Sequence, residues 1–263
     1  MSAHWLLLRG LTREARHWGD FPRRLSRELD VEVRCLDLPG NGERARDASP
    51  DDLQATLQAC RTALAPERSR GPRVLVAMSM GAMLSCLWAS QHPDEVAGAV
   101  LINTSLRPFS PWYRRLRPAN YPRVLSMAVG GHRRHWEAQV LQMTSRRVPL
   151  ASEVGQQLID HWMAIGEQAP VTRANAWRQL RAALRFRAPL VAPKVPLLLL
   201  SSAGDRLVDP ACTADLAEAW QLPYQLHPWA GHDLPLDDPE WVVAQIRAWQ
   251  NDSLLQDPRR QSG

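Results

Sequence analysis

At 263 residues and 45% apolar content, the chain has the size of one large α/β domain, alone or with an inserted lid. No apolar run approaches the ~18 residues of a membrane span, and Trp5–Leu8, ended by Arg9, is too short for a secretion signal. Cys35, Cys60, Cys86 and Cys212 lie far apart without metal or C-x-x-C spacing, so we expect a soluble, cytoplasmic protein with no disulfide, metal or membrane partner.

His4 to Leu8 predicts a buried strand ending at Arg9–Gly10. An amphipathic helix follows, with Phe21, Leu25 and Leu29 on one face. Val31 to Leu36 predicts a second strand, closed by the turn Asp37–Leu38–Pro39–Gly40–Asn41–Gly42. Leu53, Leu57, Cys60 and Leu64 recur at helical spacing. Val74 to Val76 has the β-branched character of a buried parallel strand, and Met80 to His92 reads as a helix stopped by Pro93. Val96 to Ile102 predicts a further strand. From 107 to 194 there are helix-like runs separated by prolines, with Trp162, Ile165, Trp177, Leu180 and Leu184 as candidate buried positions. This stretch holds fourteen arginines and Lys194 against four acidic residues, a net +11. The remainder of a chain whose total is +5 therefore carries −6. Strands return at Leu197 to Leu200 and Tyr224 to Pro228, and a last amphipathic helix contains Trp241, Val242, Ile246 and Trp249. The polar tail after Asp252 is expected to be disordered.

Only Met78–Ser79–Met80 separates the central strand from its helix. Such a bend strains one residue and needs small neighbours two positions to each side. Ala77 and Gly81 fill those places, giving Ala-x-Ser-x-Gly, one residue short of the Gly-x-Ser-x-Gly nucleophile elbow. Strands alternating with helices imply a parallel sheet whose functional loops follow the strand ends. Gly10–Leu11, Ser79, Asp205 and His232 all occupy such ends.

The order Ser, Asp, His is the one used by the α/β-hydrolase fold. With Arg9–Gly10 before Trp18, Asp37-x-Pro-Gly-x-Gly42, the Ser79 elbow, Gly204–Asp205 and Gly231–His232, the chain resembles the α/β-hydrolase superfamily over nearly its full length. It is similar to the cytoplasmic serine esterase branch, which includes carboxylesterases and the pimeloyl-carrier-protein methyl ester esterase. The resemblance implies a mostly parallel sheet of about six strands flanked by helices. Residues 1–106 and 194–263 would form the core, and 107–193 a helical cap.

The chemistry expected is acyl transfer. Ser79 is the nucleophile, His232 the base that takes its proton, and Asp205 the carboxylate that orients the imidazole. The Met80 N–H, and by resemblance the Leu11 N–H, would receive the oxyanion. Met78 and Met83 flank the nucleophile and suit an apolar acyl group, or are core. Asp209 is an alternative acid. Asp37 is structural by resemblance, and His227 reads as a packed or edge histidine. His132 and His135 stand three apart without an acidic or cysteine companion for a metal, and Ser85 and Ser90 are ordinary helix residues.

Three positions depart from the family pattern: Arg9 where His is usual, Ala77 at the first elbow glycine, and Arg44 where many relatives carry serine. Arg9 either orients an anionic substrate group or pairs with a carboxylate of the frame. We therefore expect a cofactor-free hydrolase of a carboxylic ester or thioester. Its substrate is a small-molecule acyl compound, or one carried on acyl carrier protein or coenzyme A and drawn by the basic cap, with no nucleic-acid partner. The alternatives are a non-catalytic binding protein of this fold, or acyl transfer, C–C hydrolysis or perhydrolysis on the same triad.

Overall fold

The computed structural model describes residues 4–66, 71–124 and 132–254. Its strands are β1 (His4–Leu8), β2 (Val33–Cys35), β3 (Arg73–Met78), β4 (Val96–Ile102), β5 (Leu197–Ser202) and β6 (Tyr224–His227). They form one six-stranded sheet in the order β2-β1-β3-β4-β5-β6, every neighbouring pair parallel. β2 is shorter than the predicted Val31–Leu36. The Val31 N–H and carbonyl are taken by Ser26 in the turn that ends the preceding helix, so pairing starts two residues later.

Both faces of the sheet are covered, which explains the nearly unbroken apolar strands. Alternation assigns Leu6, Leu8, Leu75, Ala77 and Leu101 to one face, packed under helices α2 (Leu53–Ala63) and α3 (Met80–Gln91). Trp5, Leu7, Val74, Val76 and Ile102 point the other way, against α1 (Phe21–Leu29) and the C-terminal helix Pro239–Trp249. That helix runs on into a π-helical turn at Gln250–Leu254, and the polar tail beyond it lies outside the described residues.

The strand order places a topological switch point between β1 and β3. The chain leaves β1 toward β2 on one side and leaves β3 toward β4 on the other. In an open parallel sheet the crevice for a ligand opens at that point, beyond the strand ends. Leu8 pairs with Ala77, so Gly10 falls opposite Ser79.

Between β4 and β5 the chain forms helices at Arg133–Thr144, Glu153–Gln168 and Arg173–Arg185. Leu141, Ile159, Trp162 and Ile165 make a small separate core between the first two. The expected burial of Trp177 and Leu184 is corrected: both are about half exposed, at 49% and 51%. They border a cavity beside Leu180 rather than a core, so their helical spacing marks a cavity wall. The four cysteines are free; Cys60, Cys86 and Cys212 are buried, and desolvation pushes the Cys86 thiol up to about 12. Among the described residues no helix is long and apolar enough to cross a membrane.

Candidate active site

Ser79 adopts φ 54° and ψ −119°, the strained bend that its place between strand and helix demands. The strain is held by close packing on both sides. A Cβ on Gly81 would lie 2.4 Å from the Leu8 carbonyl oxygen, so only glycine lets α3 cross the end of β1. A Cβ on Gly10 would stand 3.1 Å from the Ser79 Cβ, which shows how tightly the loop after β1 closes over the serine. Ala77, where the elbow pattern has glycine, is fully buried in the core and its methyl is accommodated.

His232 Nδ1 and Asp205 Oδ2 are 2.6 Å apart, with both residues buried. The other Asp205 oxygen accepts the Leu207 and Val208 N–H groups at 2.8 and 2.9 Å, fixing the carboxylate. Asp209 caps its own turn through the Ala211 N–H and faces Arg117, so Asp205 is the acid that meets the imidazole. Ser79 and His232 line one cavity of about 260 Å³. Among the described residues the serine hydroxyl makes no hydrogen bond to the imidazole; in apo structures this link is often long and tightens when substrate binds. Leu11, Met78, Met80 and Met83 line the same cavity. Met80 opens the helix, and among the described residues neither its N–H nor that of Leu11 has a partner, so both are free to donate.

Arg9 is 5% exposed and its fork closes on Asp233 at 3.1 and 2.6 Å, with the cation 4.7 Å from the Trp18 ring centre. Of the two readings of Arg9, the carboxylate pair is formed. It joins the end of β1 to the residue beside His232.

Several supports of the histidine loop had no clear signal in the sequence. Asn103, at φ 46° after β4, donates to the His232 carbonyl at 2.8 Å and to Ser202 Oγ at 3.0 Å. Asp237 is fully buried and accepts the Gly231 and Arg146 N–H groups at 2.7 and 2.8 Å. Only the position of Asn103 at a strand end hinted at such a role. The loop carrying Leu11 is held likewise: Gln179 Oε1 accepts the Thr12 N–H at 2.9 Å, and Arg13 pairs with Glu137 at 2.7 Å.

The other titratable candidates have structural surroundings. His227 is buried, with Nε2 3.1 Å from Asp238 and the ring edge-on to Trp229 and Trp241. Asp37 accepts the Ala15 and Glu43 N–H groups at 2.7 and 3.0 Å, while burial raises its pKa. Arg44 pairs with Asp47 at the surface. His17, which the sequence did not single out, is held neutral by burial and by Arg13 and Arg9 nearby.

A parallel sheet with a strained serine after β3 and a buried acid–histidine pair beyond β5 and β6 defines an α/β-hydrolase fold. The chain belongs to the alpha/beta hydrolase family, whose family model matches residues 5–245. Among solved structures it is similar to a candidate non-heme bromoperoxidase from Mycobacterium tuberculosis H37Rv, at 22% identity and TM-score 0.72 over 95% of this chain and 92% of that one. It is also similar to a thermophilic esterase from Thermogutta terrifontis, at 22% identity and TM-score 0.66 over 95% and 90%. The enol-lactonase of Burkholderia xenovorans LB400 gives 17% identity and TM-score 0.73 over 96% and 93%. At these identities the likeness establishes the fold. No curated protein matches the chain.

Proposed function

We propose that the chain is a serine hydrolase that cleaves a carboxylic ester or thioester through an acyl-enzyme at Ser79. The observation that carries this reading is the buried Asp205–His232 bond of 2.6 Å beside a cavity to which Ser79 is presented at a strained bend. A serine hydroxyl becomes a useful nucleophile only when a base removes its proton. His232 takes that proton as Ser79 Oγ attacks the substrate carbonyl. Asp205 holds the tautomer that leaves Nε2 free and stabilises the imidazolium that forms. The oxyanion is received by the Leu11 and Met80 N–H groups. His232 then protonates the leaving alcohol or thiol, and water attacks the acyl-enzyme by the same route. This sequence calls for no metal or cofactor. The methionine-rich wall at Met78, Met80 and Met83 suits an apolar acyl chain, since thioethers adapt to varied shapes. The substrate is a small acyl ester or thioester, or one borne by an acidic carrier.

A panel of acyl esters and thioesters of graded length, assayed with wild type, Ser79→Ala, His232→Ala and Asp205→Asn, tests the proposal. Ser79→Ala and His232→Ala are each expected to lose at least ~10³-fold in kcat with the fold intact. Asp205→Asn should fall markedly and Asp209→Asn little. More than a tenth of wild-type turnover in Ser79→Ala defeats the mechanism. A fluorophosphonate probe that fails to label Ser79 favours the non-catalytic reading, for which the absent serine–histidine hydrogen bond is the motive.

A further inference from the structure

Four arginines border the cavity that holds Ser79: Arg9, Arg13, Arg115 and Arg173. Arg9 is neutralised by Asp233 and Arg13 by Glu137. Arg173 is exposed, where water screens it. Arg115 is different. It ends the short helix Trp112–Arg115, and its Nη2 donates to the Ala183 carbonyl at 2.8 Å. Its Nε is sealed from solvent without a partner, as are Arg9 Nε and Arg13 Nη2, but those two cations each have a carboxylate. Among the described residues Arg115 has no carboxylate partner, and segment 125–131 of the same connection contains no acidic residue. Burial holds its pKa below the ordinary guanidinium value, with Cys212 nearby acting the other way and Arg107 adding to the lowering.

A part-buried cation whose one hydrogen-bond acceptor is a carbonyl costs stability, and natural interiors compensate such charges with an anion. Apart from Ser105, whose hydroxyl donates to the Arg115 carbonyl, the cavity wall is largely apolar, with Leu116, Leu180, Leu184 and the methionines beside Ser79 in its lining. A wall that needed only to hold a hydrocarbon chain would gain from leucine or methionine at this position.

We propose that Arg115 is the counter-ion for an anionic group on the substrate, so that the cavity takes an ester or thioester bearing a carboxylate or phosphate beyond an apolar spacer. The assignment rests on Ser79 being the acylated residue. It gives the substrate a polarity: the scissile carbonyl at the strand ends, and the charge toward the inserted helices. Arginine suits the task because its planar fork can bond two anionic oxygens at once.

The anion has two possible sources, separated by two matched pairs of substrates. Monomethyl adipate against methyl hexanoate places the charge on the acyl side. A hexanoyl thioester of phosphopantetheine against that of pantetheine places it on the leaving side. In at least one pair, wild type should prefer the charged member by about tenfold or more in kcat/KM, the scale of a charge-assisted pair. Arg115→Met should bring that ratio close to one while raising kcat/KM for the neutral member, because the wall becomes wholly apolar. Arg115→Lys, which keeps the charge and loses the fork, should retain part of the preference, and its melting curve guards against a folding defect. Equal losses on charged and neutral members in Arg115→Met, or no preference in either pair, overturn the assignment. If wild type cleaves none of these compounds, the hydrolase reading fails by itself. Calorimetric binding of adipate to wild type and Arg115→Met then decides the anion site: weaker binding to the variant supports it, and equal affinity overturns it.

Discussion

Arg9 closes the end of β1, and its consequence is local and energetic. Its guanidinium and the Asp233 carboxylate are both taken out of water, at 5% and 4% side-chain exposure, so each relies on the other for compensation. Arg9→Met alone leaves a buried carboxylate unpaired and should destabilise the fold by about 3–5 kcal/mol. The double variant Arg9→Met/Asp233→Leu should recover most of that loss, because two apolar groups of similar shape need no partner. Urea unfolding of the four members of the cycle measures this, and a single-variant cost below about 1 kcal/mol contradicts a structural pair. Asp233 adjoins His232, so the single variant should also lose turnover, and the double should not fully restore it. The position of Arg9 at a strand end was legible in the sequence; its partner was not, because 224 residues separate the two. Ser79, Asp205 and His232 were legible because each lies next to a strand end in motif surroundings. Asp237 and Gln179 carry no local signal, and Asn103 only its place at a strand end. Their roles exist only once distant loops are brought together.

At the scale of elements, the central strands followed from their unbroken apolar runs, buried on both faces, and the helices packed on the sheet from the periodicity of one apolar face and from turn residues. The helices between β4 and β5 were legible as helices, but which faces they bury was not: Trp162 and Ile165 enter a core, while Trp177 and Leu184 turn toward the cavity. Amphipathic spacing cannot tell a core from a cavity wall. These helices also brace the loop after β1. Gln179, on helix Arg173–Arg185, accepts the Thr12 N–H at 2.9 Å and donates to Asn41 and Ser49 at 2.8 and 3.0 Å. Thr12 sits at φ 58°, a backbone that needs holding, one residue after the Leu11 N–H proposed for the oxyanion. Gln179→Ala removes the brace and leaves buried partners unsatisfied, at a cost of about 1–3 kcal/mol. With the cavity wall intact, we expect kcat to fall by about tenfold or more with little change in KM, since complete loss of an oxyanion donor costs ~10²–10³. A rise in KM at constant kcat assigns Gln179 to substrate binding instead.

Over the whole molecule, the charge asymmetry of the sequence acquires a structural use. Residues 107–194 carry +11 and the rest −6. Arg114 meets Asp215, Arg117 meets Asp209, and Arg181 and Arg185 both approach Asp51, at 3.2–3.5 Å. These partly exposed pairs contribute little singly, at most about 1 kcal/mol each. Their common sign nevertheless orients basic helices on an acidic frame, so part of the field read from the sequence is neutralised where the two meet. Arg146 and Arg147 contribute to the same docking through backbone and carbonyl contacts with Asp237. The net excess persists, and it supports the proposal that an acidic carrier delivers the acyl group. Steering of this kind acts on the encounter rate and is screened by salt, whereas entry of a small neutral ester is not. Raising salt from ~50 to ~500 mM shortens the Debye length to about 4 Å. We expect kcat/KM for an acyl-carrier-protein substrate to fall by about tenfold or more over that range, and for a short neutral ester to change by less than about twofold. Stopped-flow measurement of both at matched protein concentration checks this, with a melting curve at each salt to confirm that the inserted helices stay docked. If the two substrates respond alike, the arginines serve to seat the helices on the frame, and substrate capture owes nothing to their charge.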